Sequence, residues 1–198
     1  YKQLQTTGKI IPLAGTKAKN TINYDQFVNL LQTRRSNRQF INKPIAEDTL
    51  FKLAETVNWA SSSCNKQPII LFATNNPDLA KACLKQCKGG TGFSEFIPCF
   101  IAFCADMRGY YLPDEMYLPA IDVSLGAQNL FIATELLNLS CCGLTWAQKD
   151  EFEETELRRL LNIPYTHQII FNAVIGHPSV QYVTPIRKSA IETLTITK

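Results

Sequence analysis

Between positions 34 and 40 the chain reads Arg34-Arg35-Ser36-Asn37-Arg38-Gln39-Phe40, which sets three guanidinium groups and a hydroxyl within five residues. That density of fixed donors suits a doubly charged phosphate better than a single carboxylate. Alone, the cluster reads equally well as the solvated end of a helix, because Arg in a last turn also favours the macrodipole. It has company: Ser61-Ser62-Ser63-Cys64-Asn65-Lys66-Gln67-Pro68, Cys141-Cys142-Gly143-Leu144-Thr145-Trp146 and Arg187-Lys188 are polar or Gly-containing breaks beside apolar elements. A protein-borne nucleophile or acid/base pair is not evident. His167 and His177 sit beside strand-like runs, Ser61 to Ser63 have no nearby His, and Glu153-Glu154 reads as a solvated helix start. A triad assembled in space stays open. No Gly-x-Gly-x-x-Gly fingerprint opens a helix after a strand, which argues against a Rossmann nicotinamide site.

Periodicity indicates the elements that must position these groups. From Asn23, a suitable N-cap, Phe27, Leu30 and Leu31 recur at helical spacing and deliver Arg34 to a turn. A second helix carries Leu50, Leu53, Ala54 and Val57 on one face and stops near Trp59. Ile69 to Ala73 reads as a strand, Asn76-Pro77 as the start of a helix to about Cys87, and Gly89-Gly90-Thr91-Gly92 as its break. Cys99 to Ala105 reads as a buried strand, and Tyr110 to Met116 as an aromatic loop able to overhang a site. Leu118 to Leu139 has Ile121, Leu125, Ile132 and Leu136 at helical spacing and is expected to be the longest and most buried helix. Its small residues Ser124, Gly126 and Ala127 permit close approach of another helix. A strand or turn over Cys141–Trp146, a helix over Glu153–Leu161, a strand over Gln168–Ile175 and a last strand over Thr193–Thr197 complete the reading. Without strict βαβ alternation, the pattern is α+β with a central sheet.

The 198 residues, 45% apolar and 19% charged, suit one domain over 1–198, with an extended arm at 1–21 and a C-terminal arm at 189–198. A net charge of +3 and no Lys/Arg run longer than two residues leave little footprint for nucleic acid. Apolar runs such as Cys99 to Ala105 are too short to cross a bilayer and no signal peptide opens the chain, so the expectation is a cytoplasmic protein. It begins at Tyr1 rather than Met, which leaves room for an upstream segment with its own targeting signal. The seven cysteines lie mostly in apolar runs, the pattern of reduced core thiols. Cys83 and Cys87 at i, i+4 lack a histidine in ligand spacing, so no metal is expected, and adjacent Cys141-Cys142 does not suit a disulfide.

Taken in order, the quoted stretches resemble the FMN-dependent nitroreductase family from about Tyr24 to Arg187, including Asp122 to Leu139 as the family's long central helix. The spacing of Gly89-Gly90-Thr91-Gly92-Phe93 and of Leu144-Thr145-Trp146 is most similar to members encoded with bacterial polysaccharide-biosynthesis genes. The resemblance implies a mainly antiparallel central sheet flanked by helices and a homodimer with an exchanged C-terminal strand. It also implies FMN as cofactor, NADH or NADPH as electron donor, and a small nitroaromatic or quinone-like acceptor. Arg34, Arg35, Ser36 and Arg38 then match the groups at the FMN phosphate, ribityl chain and pyrimidine edge. Ser62, Ser63 and Asn65 match a loop that reaches the flavin of the other subunit. Leu144, Thr145 and Trp146 match the stretch whose backbone N–H donates to flavin N5, and Arg187 and Lys188 match the basic residues that close on phosphate. A flavin enzyme needs no nucleophile of its own, since the ring carries the redox chemistry. Cys64 and Ile69 depart from the family's pattern and bear on substrate choice. Tyr110, Tyr111 and Tyr117 are candidates for a lid over a shared substrate space. A non-catalytic flavin-binding paralogue and a phosphate-binding module without flavin are the alternatives.

Overall fold

The computed structural model describes residues 20–147 and 149–197. Helix α1 (Tyr24–Thr33) starts where Asn23 and Gln26 cap each other, the Asn23 side chain accepting the Gln26 N–H and the Gln26 side chain accepting the Asn23 N–H, both at 2.9 Å. This reciprocal box satisfies two of the helix's open donors. Helix α2 (Glu47–Val57) buries Leu53 and Val57. Strand β1 (Ile69–Thr74) leads to α3 (Pro77–Leu84), which Asn76 caps by accepting the N–H groups of Asp78 and Leu79. This helix ends at Leu84, short of the expected Cys87, because the Gln86 and Cys87 N–H groups turn back to the carbonyls of Cys83 and Leu84 in tighter turns.

Strand β2 (Cys99–Asp106), helix α4 (Leu118–Leu136), strand β3 (Ser140–Thr145), helix α5 (Glu151–Leu161) and strand β4 (His167–Gly176) follow. The strands pair antiparallel throughout in the order β1-β2-β4-β3, so β1 and β3 are the edges. Residues of β2 alternate between two cores as the pleat requires. Phe100, Ala102 and Cys104 pack with α3 and α5, whereas Cys99, Ile101, Phe103 and Ala105 pack with α2 and α4. The result is the expected α+β sandwich of helices around an antiparallel sheet. All seven cysteines are free, and six are buried, Cys64 being the exposed one. Burial pushes the Cys99 and Cys141 thiols up to about 12, which suits core filler rather than reactive groups.

Two expectations need correction. Helix α4 is the longest, at 19 residues, but the stripe of Ile121, Leu125 and Leu136 faces out. Its core face is Val123, Gly126, Ala127, Leu130 and Ala133; the helix is apolar nearly all round, so periodicity alone could not choose between its faces. Tyr110 is no lid: it is 4% exposed with its hydroxyl on Asp122, while Tyr111 and Tyr117 stand out in solvent. Residues 193–197, expected to add a strand to the other subunit's sheet, follow a short 3₁₀ turn (Ala190–Glu192) and are exposed, pairing with no strand among the described residues. All but residues 20 and 21 of the arm expected at 1–21 lie outside the described residues, as does Lys198. Among the described residues no helix is long and apolar enough to cross a membrane.

Gly176, the last residue of β4, is where the fold meets the Arg-bearing segment. A Cβ there would lie 2.5 Å from Cδ1 of Phe40 and 2.8 Å from Cγ of Pro98, both on rigid rings. Gly176→Ala is therefore expected to cost about 1–3 kcal/mol in urea unfolding by overpacking, and to displace Phe40 with the segment it ends. Unchanged stability would show that Phe40 has room to move.

Candidate functional site: a cationic segment on the β3 edge

Helix α1 stops at Arg34, whose backbone turns to φ −60°, ψ 131°, and the chain continues extended along the free edge of β3. Ser36 pairs with Cys141 in a parallel bridge, and the Asn37 N–H donates to the Cys141 carbonyl at 3.1 Å. On its other flank the segment is held by residues 177–180. The Ser179 N–H donates to the Gln39 carbonyl and the Ile41 N–H to the His177 carbonyl, each at 3.0 Å. Asn37, 2% exposed, closes the seam: its Nδ2 donates to the Val180 carbonyl at 2.9 Å and its Oδ1 accepts the Gln39 N–H at 2.8 Å. The loop after α3 adds a third clamp, with the Ser94 N–H on the Arg38 carbonyl at 2.9 Å and Gln39 Nε2 on the Gly92 carbonyl at 2.7 Å.

An extended segment alternates its side chains, and the three arginines divide accordingly. Arg35 is committed to the chain itself: Nη1 donates to the Gln32 and Arg34 carbonyls, and Nη2 to the Thr184 hydroxyl at 2.5 Å. Its Nε is buried without a partner among the described residues. It lines a cavity of about 420 Å³ together with Asn37, Glu135, Ser140, Val180 and Tyr182. Burial raises the proton affinity of Glu135 there, against the pull of the Arg35 N–H and of the Arg34 and Arg35 charges. Arg34 is half-buried and Arg38 exposed. Both draw on the Cys142 thiol, whose burial raises it, and Arg38 also lies 5.9 Å from the centre of the Phe93 ring. Among the described residues neither has an ion-pair partner, and Ser36 between them is exposed.

Of the other expected residues, Leu144, Thr145 and Trp146 lie on or just after β3. Leu144 and Trp146 are core residues, 4% exposed each, and only Thr145 presents its side chain outward. Because the Cys141 carbonyl points to the outer edge, strand alternation directs the N–H groups of Gly143 and Thr145 the same way, toward the site and away from β4. Arg187 and Lys188 are exposed, three and four residues beyond the Thr184 that Arg35 holds. Ser62, Ser63 and Asn65 are not brought to this group. They lie at the other end of α4, where Ser63 is bonded to Asp122.

Asn37, Asp122 and Glu135 were absent from the residues singled out by sequence. Asp122 carried a usable signal, being the first of only two charged residues in the run Leu118–Leu139. Replacing Asn37 with Ala leaves the Val180 carbonyl and the Gln39 N–H unpaired, a cost of about 1–3 kcal/mol. It should be seen as lost stability and as faster hydrogen exchange over 36–41; protection equal to the parent protein would show that the seam does not depend on it.

The chain is similar in sequence and in fold to known proteins. A model of the nitroreductase family matches residues 31–92, the span from α1 through the Gly-rich loop after α3. The chain is 26% identical over 170 residues to an NADPH-dependent oxidoreductase of Staphylococcus epidermidis, covering 78% of this chain and 66% of that protein. It is 23% identical over 170 residues to an FMN reductase [NAD(P)H] of Bacillus subtilis, covering 78% of this chain and 67% of the relative. The chain thus spans about two thirds of the length of these relatives. An FMN-dependent nitroreductase from Clostridium difficile superposes with a TM-score of 0.73 at 18% identity, over 86% of this chain and 99% of the other. The chain is thus similar to nitroreductases in fold, and the part that the nitroreductase-family model matches includes its cationic segment.

Proposed function

We propose that the protein is an FMN-dependent oxidoreductase that takes NADH or NADPH as donor and a small electron-poor molecule, such as a nitroaromatic or a quinone, as acceptor. The observation that carries this reading is the pair Arg34 and Arg38 on the β3 edge, without carboxylate partners among the described residues and with the exposed Ser36 between them. Unneutralised guanidinium groups on a backbone pinned from three sides form a pre-organised anion site. FMN brings both a phosphate and an acceptor-rich ring edge, and the donor set fits it. The relatives named for FMN reduction support the same cofactor.

In this reading Arg34, Ser36 and Arg38 hold the phosphate, ribityl chain and pyrimidine edge, and Arg35, expected among the flavin contacts, instead orders the segment that carries them. Arg187 and Lys188 close on the phosphate from the segment that Arg35 tethers through Thr184. The outward N–H of Thr145 is the donor for flavin N5, stabilising charge where it develops. Gly143 leaves the ring room: a Cβ there would meet only Phe131, at 3.4 Å. When bound, FMN supplies the redox chemistry. The chain has only to orient it and to leave one face open for donor and acceptor in turn.

Ser62, Ser63 and Asn65 complete the site of a second copy in a homodimer. The exposed apolar stripe of Ile121, Leu125 and Leu136 on α4 suits the subunit contact, and residues 193–197 are free in this chain to join the partner's sheet.

Loss of one charge-assisted contact in Arg38→Ala is expected to weaken FMN binding by roughly ten- to a hundredfold with the fold intact. Flavin content undiminished after dialysis would count against the assignment. Parallel double-reciprocal lines for NAD(P)H and acceptor are expected of one shared binding face. Intersecting lines would place the two substrates in separate spaces, and an unpigmented protein that ignores added FMN would end the reading.

A further inference from the structure

The Ser61–Pro68 loop is held in a shape that its own sequence does not favour. Cys64, Asn65 and Gln67 all have left-handed backbones, with φ of 51°, 54° and 48°. For a non-glycine residue this conformation costs of order 1 kcal/mol and persists only where neighbours enforce it. Within the loop the Ser62 hydroxyl accepts the Gln67 N–H at 3.0 Å, and the Asn65 and Lys66 N–H groups return to the Ser62 and Ser63 carbonyls. Its buried tie to α4 is Asp122, in the second turn of that helix and 1% exposed.

Its Oδ1 and Oδ2 accept the Ser63 N–H at 3.0 and 3.1 Å, Oδ1 also accepts the Ser63 hydroxyl at 3.2 Å, and Oδ2 accepts the Tyr110 hydroxyl at 2.8 Å. A carboxylate offers only lone pairs, so three converging donors are the complement it needs. Tyr110 in turn lies under Lys66, whose Nζ is 4.4 Å from the ring centre and 2.8 Å from Glu115. The contacts close a circuit from Ser63 through Asp122 and Tyr110 to Lys66, back into the same loop. No such circuit is needed to fill a core, since an apolar side chain at 122 would do that without burying a charge.

We propose that Asp122 is a positioning residue for flavin: it fixes the Ser62–Asn65 loop in its strained shape, and so acts on the FMN held by the cationic segment of the other subunit. The inference rests on the FMN reading above. Asp122 does not touch the flavin; it acts through Ser63.

The test uses the full chain with Asp122→Asn, Tyr110→Phe and Arg38→Ala, with FMN affinity read by quenching of flavin fluorescence and loop order by hydrogen exchange. In Asp122→Asn an amide N–H₂ replaces an acceptor opposite three donors. FMN affinity is expected to fall roughly tenfold, with exchange faster at residues 63–67 and unchanged at 36–41. Tyr110→Phe keeps both Ser63 bonds and is expected to lose less, about two- to threefold; it serves as the readout if Asp122→Asn does not fold. Arg38→Ala should weaken FMN without altering exchange in the loop. Parental FMN affinity in Asp122→Asn, or a loss of affinity with no change in exchange at 63–67, overturns the proposal. Failure of the unaltered protein to bind FMN overturns instead the reading on which it rests, and the exchange arm still reports whether Asp122 orders the loop.

Discussion

The length of α4 governs everything else in this molecule. Asp122 and Glu135 are thirteen residues apart (135 − 122), about 20 Å of helix. Around Asp122 the helix holds the strained Ser61–Pro68 loop; around Glu135 and Thr134 it holds the β3 edge and the cationic segment, with Thr134 bonded to the Cys141 thiol. That separation is wider than any side chain spans. The two sets of groups that resemble one flavin site are therefore built on opposite ends of one rigid element, and a second copy placing its Asp122 end against this copy's Arg34–Arg38 end is the economical way to join them. The outward-facing apolar residues of the same helix supply the surface for that contact.

What the chain contributes at the cationic end is order rather than reactivity. Arg35 gives up its guanidinium to tie the end of α1 to residue 184, Asn37 and the Cys141 carbonyl pin the segment between β3 and residues 177–180, and Phe40 is wedged against Gly176. Arg34 and Arg38 are thereby held without an ion-pair partner among the described residues, on a backbone with little freedom. The entropy of arranging them is already spent in folding, so an anion meets a formed site.

Much of this was legible in the sequence, for definite reasons. Asn23 announces α1 as an N-cap, and Asn76-Pro77 announces α3 by the same local chemistry. The unbroken apolar run at Cys99–Ala105 marks a strand covered on both faces. Where reading failed, the deciding fact was tertiary. Ile121 and Leu125 looked like core because α4 is apolar on nearly every side, and only packing against Val57 and Ile69, which leave no room beyond a glycine at 126, shows which face is buried. Tyr110 resembled its exposed neighbour Tyr111 until Asp122 gave its hydroxyl a buried partner. The division of the arginines, with the Arg35 guanidinium bonded within the chain and Arg34 and Arg38 left without ion-pair partners among the described residues, follows from pairing with β3, which no local pattern reveals.

The central claim, that each flavin site takes its cationic segment from one subunit and its Ser62–Asn65 loop from the other, is tested most directly by complementation. Arg38→Ala disables the first half, and Ser63→Pro, which removes the N–H that Asp122 accepts, disables the second. Each alone should bind FMN poorly. Refolded together in equal amounts, random pairing makes half the dimers mixed, and each mixed dimer regains one intact site, so about a quarter of all sites should bind FMN with parental affinity. A mixture that binds no better than its two parents would show that both halves serve the same subunit's flavin, and the account would be wrong.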